Sequence, residues 1–462
     1  MIAVFATAVL ALLSPMAAGT AGAIAKPVID PAAVPADTPP GPDEPLRMQH
    51  NCAVTGVLAG SDLGAPSPSQ ALMYIPAMWK SAGRGAGVAV AIIDTGVNPS
   101  PRLPHVHGGG DYVAPEGGSN GLTDCDAHGT VVASIIGGAP ADGDGFSGVA
   151  PDSDIISIRQ SSEAYVPSNP SPGDFATDRR AGTVSSLAKA VVHAANSGAR
   201  VLNMSIVACI PVLKPVDQTT LGAALRYAAV DKDMVIVAAS GNLANQDCAQ
   251  NPDIDATNFN DPRNWGAVVT ISTPSWFDSY VLSVSAVDGQ GKPAVDDHGR
   301  EISLSGPWVG VAAPGVYVEG FDDKGAVINA TFDPNAGALR AINGTSFSAA
   351  FVTGLAALVR AKYPNLTAAQ VIRRIEETAH SPAALVDNRV GYGVIDPQAA
   401  LNNDVPLGPM RNPEHLSRPL QMPAAPSRPN RKPMVVALIG SSTALLLIAL
   451  VIFVPNLVRR RP

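Results

Sequence analysis

Three side chains in this sequence are suited to chemistry on a carbonyl group. Asp94 closes the apolar run AVAIID and is followed by Thr95 and Gly96. His128 opens HGTVVASIIGG thirty-four residues later, and Ser346 follows Gly344 and Thr345 at the head of the small-residue, apolar segment SFSAAFVTGLAALV. A carboxylate at a strand end can share a proton with a second one, but that needs another Asp-Thr/Ser-Gly, and the chain has none. A phosphate or metal role would call for GxxxxGK or HExxH, and neither occurs. Nucleophilic catalysis remains. A serine hydroxyl is a poor nucleophile at neutral pH and needs an imidazole within hydrogen-bond reach as its base. The imidazole in turn needs a carboxylate on its other nitrogen to hold one tautomer and to stabilise the positive charge it acquires. Taken singly, the three residues have plain structural readings: a strand-end acid, a structural histidine and a helix-capping serine. In the order Asp, His, Ser, with Thr-Gly, Gly-Thr and Gly-Thr as their neighbours, they point to one catalytic group.

The elements around them agree. GVAVAIID, DIISIR, RVLNMSI, MVIVAAS and YVLSVSAV read as strands, and Ala-rich stretches such as VSSLAKAVVHAANSG between them read as helices. Continuous rather than alternating hydrophobicity predicts strands covered on both faces, hence a parallel sheet with helical crossovers. Chemistry in such sheets collects at the carboxyl ends of the strands, where Asp94 and Asn242 both fall. A serine starting a helix also brings its own N–H and the helix dipole toward an oxyanion.

With these motifs assembled, residues 81–402 resemble the subtilisin-like serine proteases. The resemblance implies an α/β, three-layer fold with a central parallel sheet and a serine endopeptidase activity. It implies Asp94, His128 and Ser346 as catalytic residues, with Asn242 of SGN as an oxyanion-hole donor. RVLNMSI resembles the strand that pairs with an extended peptide substrate in that family. The chain departs from the pattern directly afterwards: where many relatives have Leu-Gly-Gly, it has Ile206-Val207-Ala208-Cys209, so the neighbouring substrate pocket is not carried over.

The ends carry different signals. Residues 1–25 read as a signal peptide, though no Lys or Arg precedes the apolar run. Residues 26–80 are rich in Pro and Gly and read as an arm lying on the domain. Residues 403–433 read as a Pro-rich extended linker. Residues 434–458 carry no charge and suffice as a helix to cross a membrane. Residues 459–462 then form a cytoplasmic tail beginning Arg459-Arg460-Arg461, an orientation set by the signal peptide rather than by charge alone. Cys52, Cys125, Cys209 and Cys248 all lie in the part expected to be exported, which suggests two disulfides, and spacing permits three pairings. Without a CxxC, a zinc site is not expected, and no acid cluster marks a calcium site; no cofactor is implied. A formal net charge of -8 argues against a nucleic-acid partner.

Signal peptide, Cys-bearing arm, DCDAHGT, NGTSFSAA, Pro-rich linker and single span together resemble the mycosins, the membrane-anchored proteases of mycobacterial type VII secretion systems. This second resemblance implies a single-pass protein of the inner membrane with its catalytic domain in the periplasm. It implies protein or peptide substrates, association with the secretion membrane complex, and disulfides Cys52–Cys125 and Cys209–Cys248. It also leaves room for a mainly structural role in that complex, with proteolysis secondary.

Overall fold

The structure, a computed structural model, describes residues 24–169, 180–214, 216–245, 247–296, 298–417 and 432–458. The expected signal peptide through residue 23, linker residues 418–431 and the tail 459–462 lie outside the described residues. The chain divides into two units at Ser417/Arg418.

In chain order the main elements of the first unit are α1 (Pro68–Met73), α2 (Ile75–Ala82), β1 (Ala89–Asp94), β2 (Val106–Asp111), α3 (His128–Gly137), β3 (Asp154–Arg159), α4 (Val184–Asn196), β4 (Val201–Met204), α5 (Thr219–Arg226), β5 (Val235–Ala239), β6 (Val281–Val287), β7 (Val309–Pro314), α6 (Thr345–Lys362), α7 (Ala368–Glu377) and α8 (Pro397–Asn402). The seven strands form one sheet in the order β7-β6-β5-β4-β1-β3-β2, parallel at every pairing. Successive residues of β1 serve opposite faces. Val90 and Ile92 join a core with α3 and α6, while Ala91 and Ile93 join a second core with α4 and α5. Each fully buried Ile contributes about 2 kcal/mol by leaving water, which is why these runs read as continuous rather than alternating. Helix α6 is buried from Thr345 through Arg360, its small and apolar residues packed on all sides with a few buried polar ones among them.

The sheet order reverses beside β1. The crevice at the carboxyl ends of β1 and β4 is therefore where such a sheet places a site, and Asp94 and Ser205 stand at those two ends.

The arm keeps to the surface for most of its length. Asp37 bonds His193 and Asn196, and Asp43 bonds Lys189 and Thr183, so residues 37–43 run along α4. Leu46–Met48 pairs antiparallel with Tyr165–Pro167, and Thr55–Gly56 with Ala330–Thr331. Its last part behaves differently: Met73, Ile75 and Met78 of α1 and α2 sit in the larger core. The apolar residues of ALMYIPAMW give these two helices a face that must be buried.

Both disulfides have the pairing that the second resemblance implies, Cys52–Cys125 and Cys209–Cys248. Closing loops of these lengths contributes about 4 kcal/mol each through the unfolded chain. Since Cys52 lies on the arm, a protease site inserted between Gly64 and Ala65 is expected to leave the arm attached. Non-reducing denaturing electrophoresis of the cut protein should show one species and reducing electrophoresis two; two species without reductant would show that Cys52–Cys125 does not hold the arm.

The Pro-rich segment does not leave the body at residue 403. Thr367 donates to Met410 O at 2.8 Å and Asn412 to Ser279 O at 3.2 Å. Glu414 pairs with Arg226 at 2.8 Å and accepts from the Tyr280 hydroxyl at 2.9 Å. Leu416 bridges Ile29 in parallel: Ile29 N donates to His415 O and Ser417 N to Ile29 O, both at 2.7 Å.

The second unit contains α9 (Lys432–Val458), of which Lys432–Ile452 is long and apolar enough to cross a membrane.

Candidate active site

Asp94 ends β1 with its side chain buried, and His128 begins α3 with an imidazole 29 % exposed. His128 Nδ1 lies 2.6 Å from Asp94 Oδ1. The same oxygen accepts the N–H of Thr95 at 2.7 Å, so the carboxylate is fixed by the backbone that follows it. Glycines permit this approach. A Cβ on Gly129 would stand 2.1 Å from Gly96 O and 3.1 Å from Asp94 Oδ1. Gly96 has φ of +100°, and a Cβ there would meet Thr123 O at 2.1 Å. The glycines of Asp-Thr-Gly and His-Gly-Thr are therefore steric conditions for bringing acid and imidazole together.

Sequence reasoning passes over a further carboxylate, Asp124. Its Oδ2 accepts from Thr130 N at 2.8 Å and Thr130 Oγ1 at 2.7 Å; its Oδ1 accepts from Thr95 Oγ1 at 2.9 Å and Asp126 N at 3.0 Å. Thr95 Oγ1 in turn accepts the N–H of Gly129 at 2.9 Å. Ala127, at the N-cap position of α3, makes no side-chain cap. Asp124 does that work from three residues earlier and joins the first turn of α3 to the end of β1. An acid four residues before the histidine was the available signal. Burial pushes the Asp124 carboxyl up to about 6, against the hydrogen bonds from Thr130 and Thr95 and with a contribution from Asp94.

For His128, burial disfavours the charged ring, but the charge and hydrogen bond of Asp94, aided by Asp124 and Glu163, outweigh it and raise the imidazole to about 9. The carboxylate therefore stabilises the protonated ring, the form a base acquires when it takes a proton.

Ser346 is the second residue of α6 and is 5 % exposed. The ring of its neighbour Phe347 lies 5.4 Å from that of His128, which sets the head of α6 against the imidazole. The Ser346 hydroxyl donates to Ser205 O at 2.9 Å, and among the described hydrogen bonds none joins it to His128. In this resting arrangement the hydroxyl must turn from Ser205 to reach the base.

Asn242 lies two residues past β5's exit residue Ser240, half-buried. Its Oδ1 accepts from Thr345 N at 3.0 Å and Thr345 Oγ1 at 3.1 Å. These two donors fix which end of the amide is oxygen and leave Nδ2 as the donor, beside the residue that precedes Ser346. Asn242→Ala is expected to lower kcat for a peptide about 100- to 1000-fold, the range for loss of one such donor in subtilisin, with KM little changed. An unchanged kcat would overturn the expectation that Asn242 donates to an oxyanion.

Among the described residues no three His, Cys, Asp or Glu side chains are grouped to hold a metal ion. All four residues singled out by the motifs, Asp94, His128, Asn242 and Ser346, lie at the carboxyl ends of strands or the heads of α3 and α6. Past β4, residues Ala208–Pro211 pair antiparallel with Thr270–Thr273, and Cys209 of this pair bonds Cys248.

Comparison with known proteins agrees with this geometry. Residues 85–393 match the subtilase family of peptidases. Mycosin-1 of Mycobacterium tuberculosis is 46% identical, the alignment covering 96% of each chain. The crystal structure of MycP1 from the ESX-1 type VII secretion system superposes with a TM-score of 0.79 at 46% identity, over 85% of this chain and 100% of that one. A chain in the structure of an intact ESX-5 inner membrane complex superposes with a TM-score of 0.77 at 46% identity, over 94% of this chain and 100% of that one.

Proposed function

The chain belongs to the subtilase family and within it to the mycosins, and from that premise we propose that Asp94, His128 and Ser346 cut exported polypeptides beside a type VII secretion membrane complex. The chain is a serine endopeptidase. The observation that carries the residue assignment is the 2.6 Å contact between His128 Nδ1 and buried Asp94. With Nδ1 so engaged, His128 Nε2 is the nitrogen that receives the Ser346 proton.

The reaction then proceeds in two halves. Ser346 Oγ attacks the scissile carbonyl as its proton passes to His128, and Asn242 Nδ2 and the Ser346 N–H stabilise the oxyanion. His128 returns the proton to the leaving amine, and an acyl-serine remains. Water then gives a proton to the same imidazole and attacks the acyl carbonyl, and the acid leaves as the imidazole returns that proton to Ser346 Oγ. Asp94 orients the ring throughout and stabilises it whenever it carries the proton. The helix Lys432–Ile452 anchors the enzyme in the inner membrane, with the catalytic domain on the periplasmic side. This reading is supported by the relative solved within the ESX-5 inner membrane complex.

A second reading, a structural component of the secretion complex, is favoured by the arm bonded to Cys125, three residues from His128. Cells carrying wild type, Ser346→Ala or a deletion separate the two when substrate processing and protein export are scored independently. Processing should stop in the Ser346→Ala strain, and processing at the wild-type level there would overturn the proposal. Export lost only in the deletion would establish the structural role beside the proteolytic one.

A further inference from the structure

Strand β4 reads Val201-Leu202-Asn203-Met204, and its only polar residue is completely buried. A buried amide costs stability unless it is fully bonded, and Asn203 is bonded toward one place. Its Oδ1 accepts from Thr353 Oγ1 at 2.9 Å, and its Nδ2 donates to Ser205 Oγ at 2.8 Å. Ser205 Oγ donates to Ser346 O at 2.8 Å, and Ser346 Oγ donates to Ser205 O at 2.9 Å. Thr353 and Ser205 are 0 % and 4 % exposed.

The direction of these bonds is forced. An amide nitrogen can only donate, so Ser205 Oγ must accept from Asn203, and its single proton is directed to the Ser346 carbonyl. Ser346 and Thr353 are seven residues apart, two turns along one face of α6. β4 is thereby tied to α6 at two levels. One of them grips the proposed nucleophile's residue at both its carbonyl and its hydroxyl.

We infer that Asn203 is a positioning residue for Ser346, acting through the Ser205 hydroxyl and braced by Thr353. The chain Thr353–Asn203–Ser205–Ser346 sets the rotation of the first turn of α6 against β4, and with it the direction from which Ser346 Oγ approaches a bound carbonyl. The inference rests on the proposed role of Ser346. A core amide that merely satisfies itself would make the same bonds, so the test must read more than stability.

The full-length protein in detergent is assayed for kcat and KM on a peptide and for the rate of labelling by diisopropyl phosphorofluoridate. Ser205→Ala keeps the carbonyl but removes the hydroxyl; kcat and the labelling rate are expected to fall about 10- to 100-fold with KM within about twofold. Ser205→Thr restores the hydroxyl and should recover kcat to within about threefold of wild type. Thr353→Val should lower kcat a few-fold and Thr353→Ser should not. Because the four residues act as one unit, the Ser205→Ala, Thr353→Val double variant should lose about as much as Ser205→Ala alone. Wild-type kcat in Ser205→Ala, multiplying losses in the double variant, or a loss confined to KM would overturn the inference. If Ser205→Ala does not fold, the two Thr353 variants decide, and equal kcat in both would overturn it. Wild-type protein that is not labelled at Ser346 would instead remove the peptidase reading on which the inference stands.

Discussion

Ser346→Ala is expected to lower turnover of a peptide substrate by about a million-fold, the size of loss on removing the same group from subtilisin. The structure says why the variant should remain a fair test. The Ser346 hydroxyl makes one hydrogen bond, to Ser205 O, and losing such a bond costs only about 1 kcal/mol. The remaining grip on the residue, Ser205 Oγ to Ser346 O, uses the backbone and survives the change. Substrate binding should therefore persist, and circular dichroism should not change. A variant that binds peptide but still turns it over at more than about a hundredth of the wild-type rate would show that another group supplies the nucleophile.

Asp94→Asn should lower turnover by about ten-thousand-fold, since an amide can hold His128 in the wrong tautomer and cannot stabilise the charged ring. It carries a second, independent signature. The base works only when His128 is neutral, so kcat/KM rises with pH as the ring loses its proton. Asp94 holds the imidazole up, at about 9, so the acid limb of the wild-type profile should lie above the ordinary histidine value of about 6.5. The variant's limb should move down. Stability shifts in the same sense. The raised ring proton affinity stabilises the folded wild type fully below about 6.5, and this contribution disappears as pH rises through about 9. The wild type should lose more of its unfolding temperature across that interval than Asp94→Asn does. Coincident acid limbs in the two proteins would mean that Asp94 does not set the protonation of His128.

The proposed triad stands out in the sequence because Asp94 and His128 are fenced by residues with a steric duty. Gly96 and Gly129 are required where β1 and α3 touch, and a pattern that must recur for steric reasons can be read. Ser205 and Asn203 carry no such fence. Their partners lie elsewhere in the fold, Ser346 at a separation of 141 residues from Ser205 and Thr353 at 150 from Asn203, and a lone polar residue in an apolar run suggests nothing about what it will meet. The parallel sheet was readable from unbroken hydrophobic runs, since burial on both faces erases alternation. Cysteine spacing left three pairings open, and only proximity in the fold distinguishes them. Composition misleads most after residue 402. Proline and charge there suggest a free tether, yet Glu414 is drawn in by Arg226 and Tyr280, whose positions on and beside α5 are set by the fold.

The pairing of Ile29 with Leu416 has a mechanical consequence. Two backbone bonds staple the beginning of the described body to its end, so the polypeptide forms an almost closed hoop. Tension drawn through Ser417 is shared with Ile29 before it can unwind α8, and the ion pair of Glu414 with Arg226 resists in parallel. A pull on the chain beyond Ser417 is thus borne at the seam of the hoop, and in single-molecule extension the seam should part as a first, low-force event while the sheet is still intact.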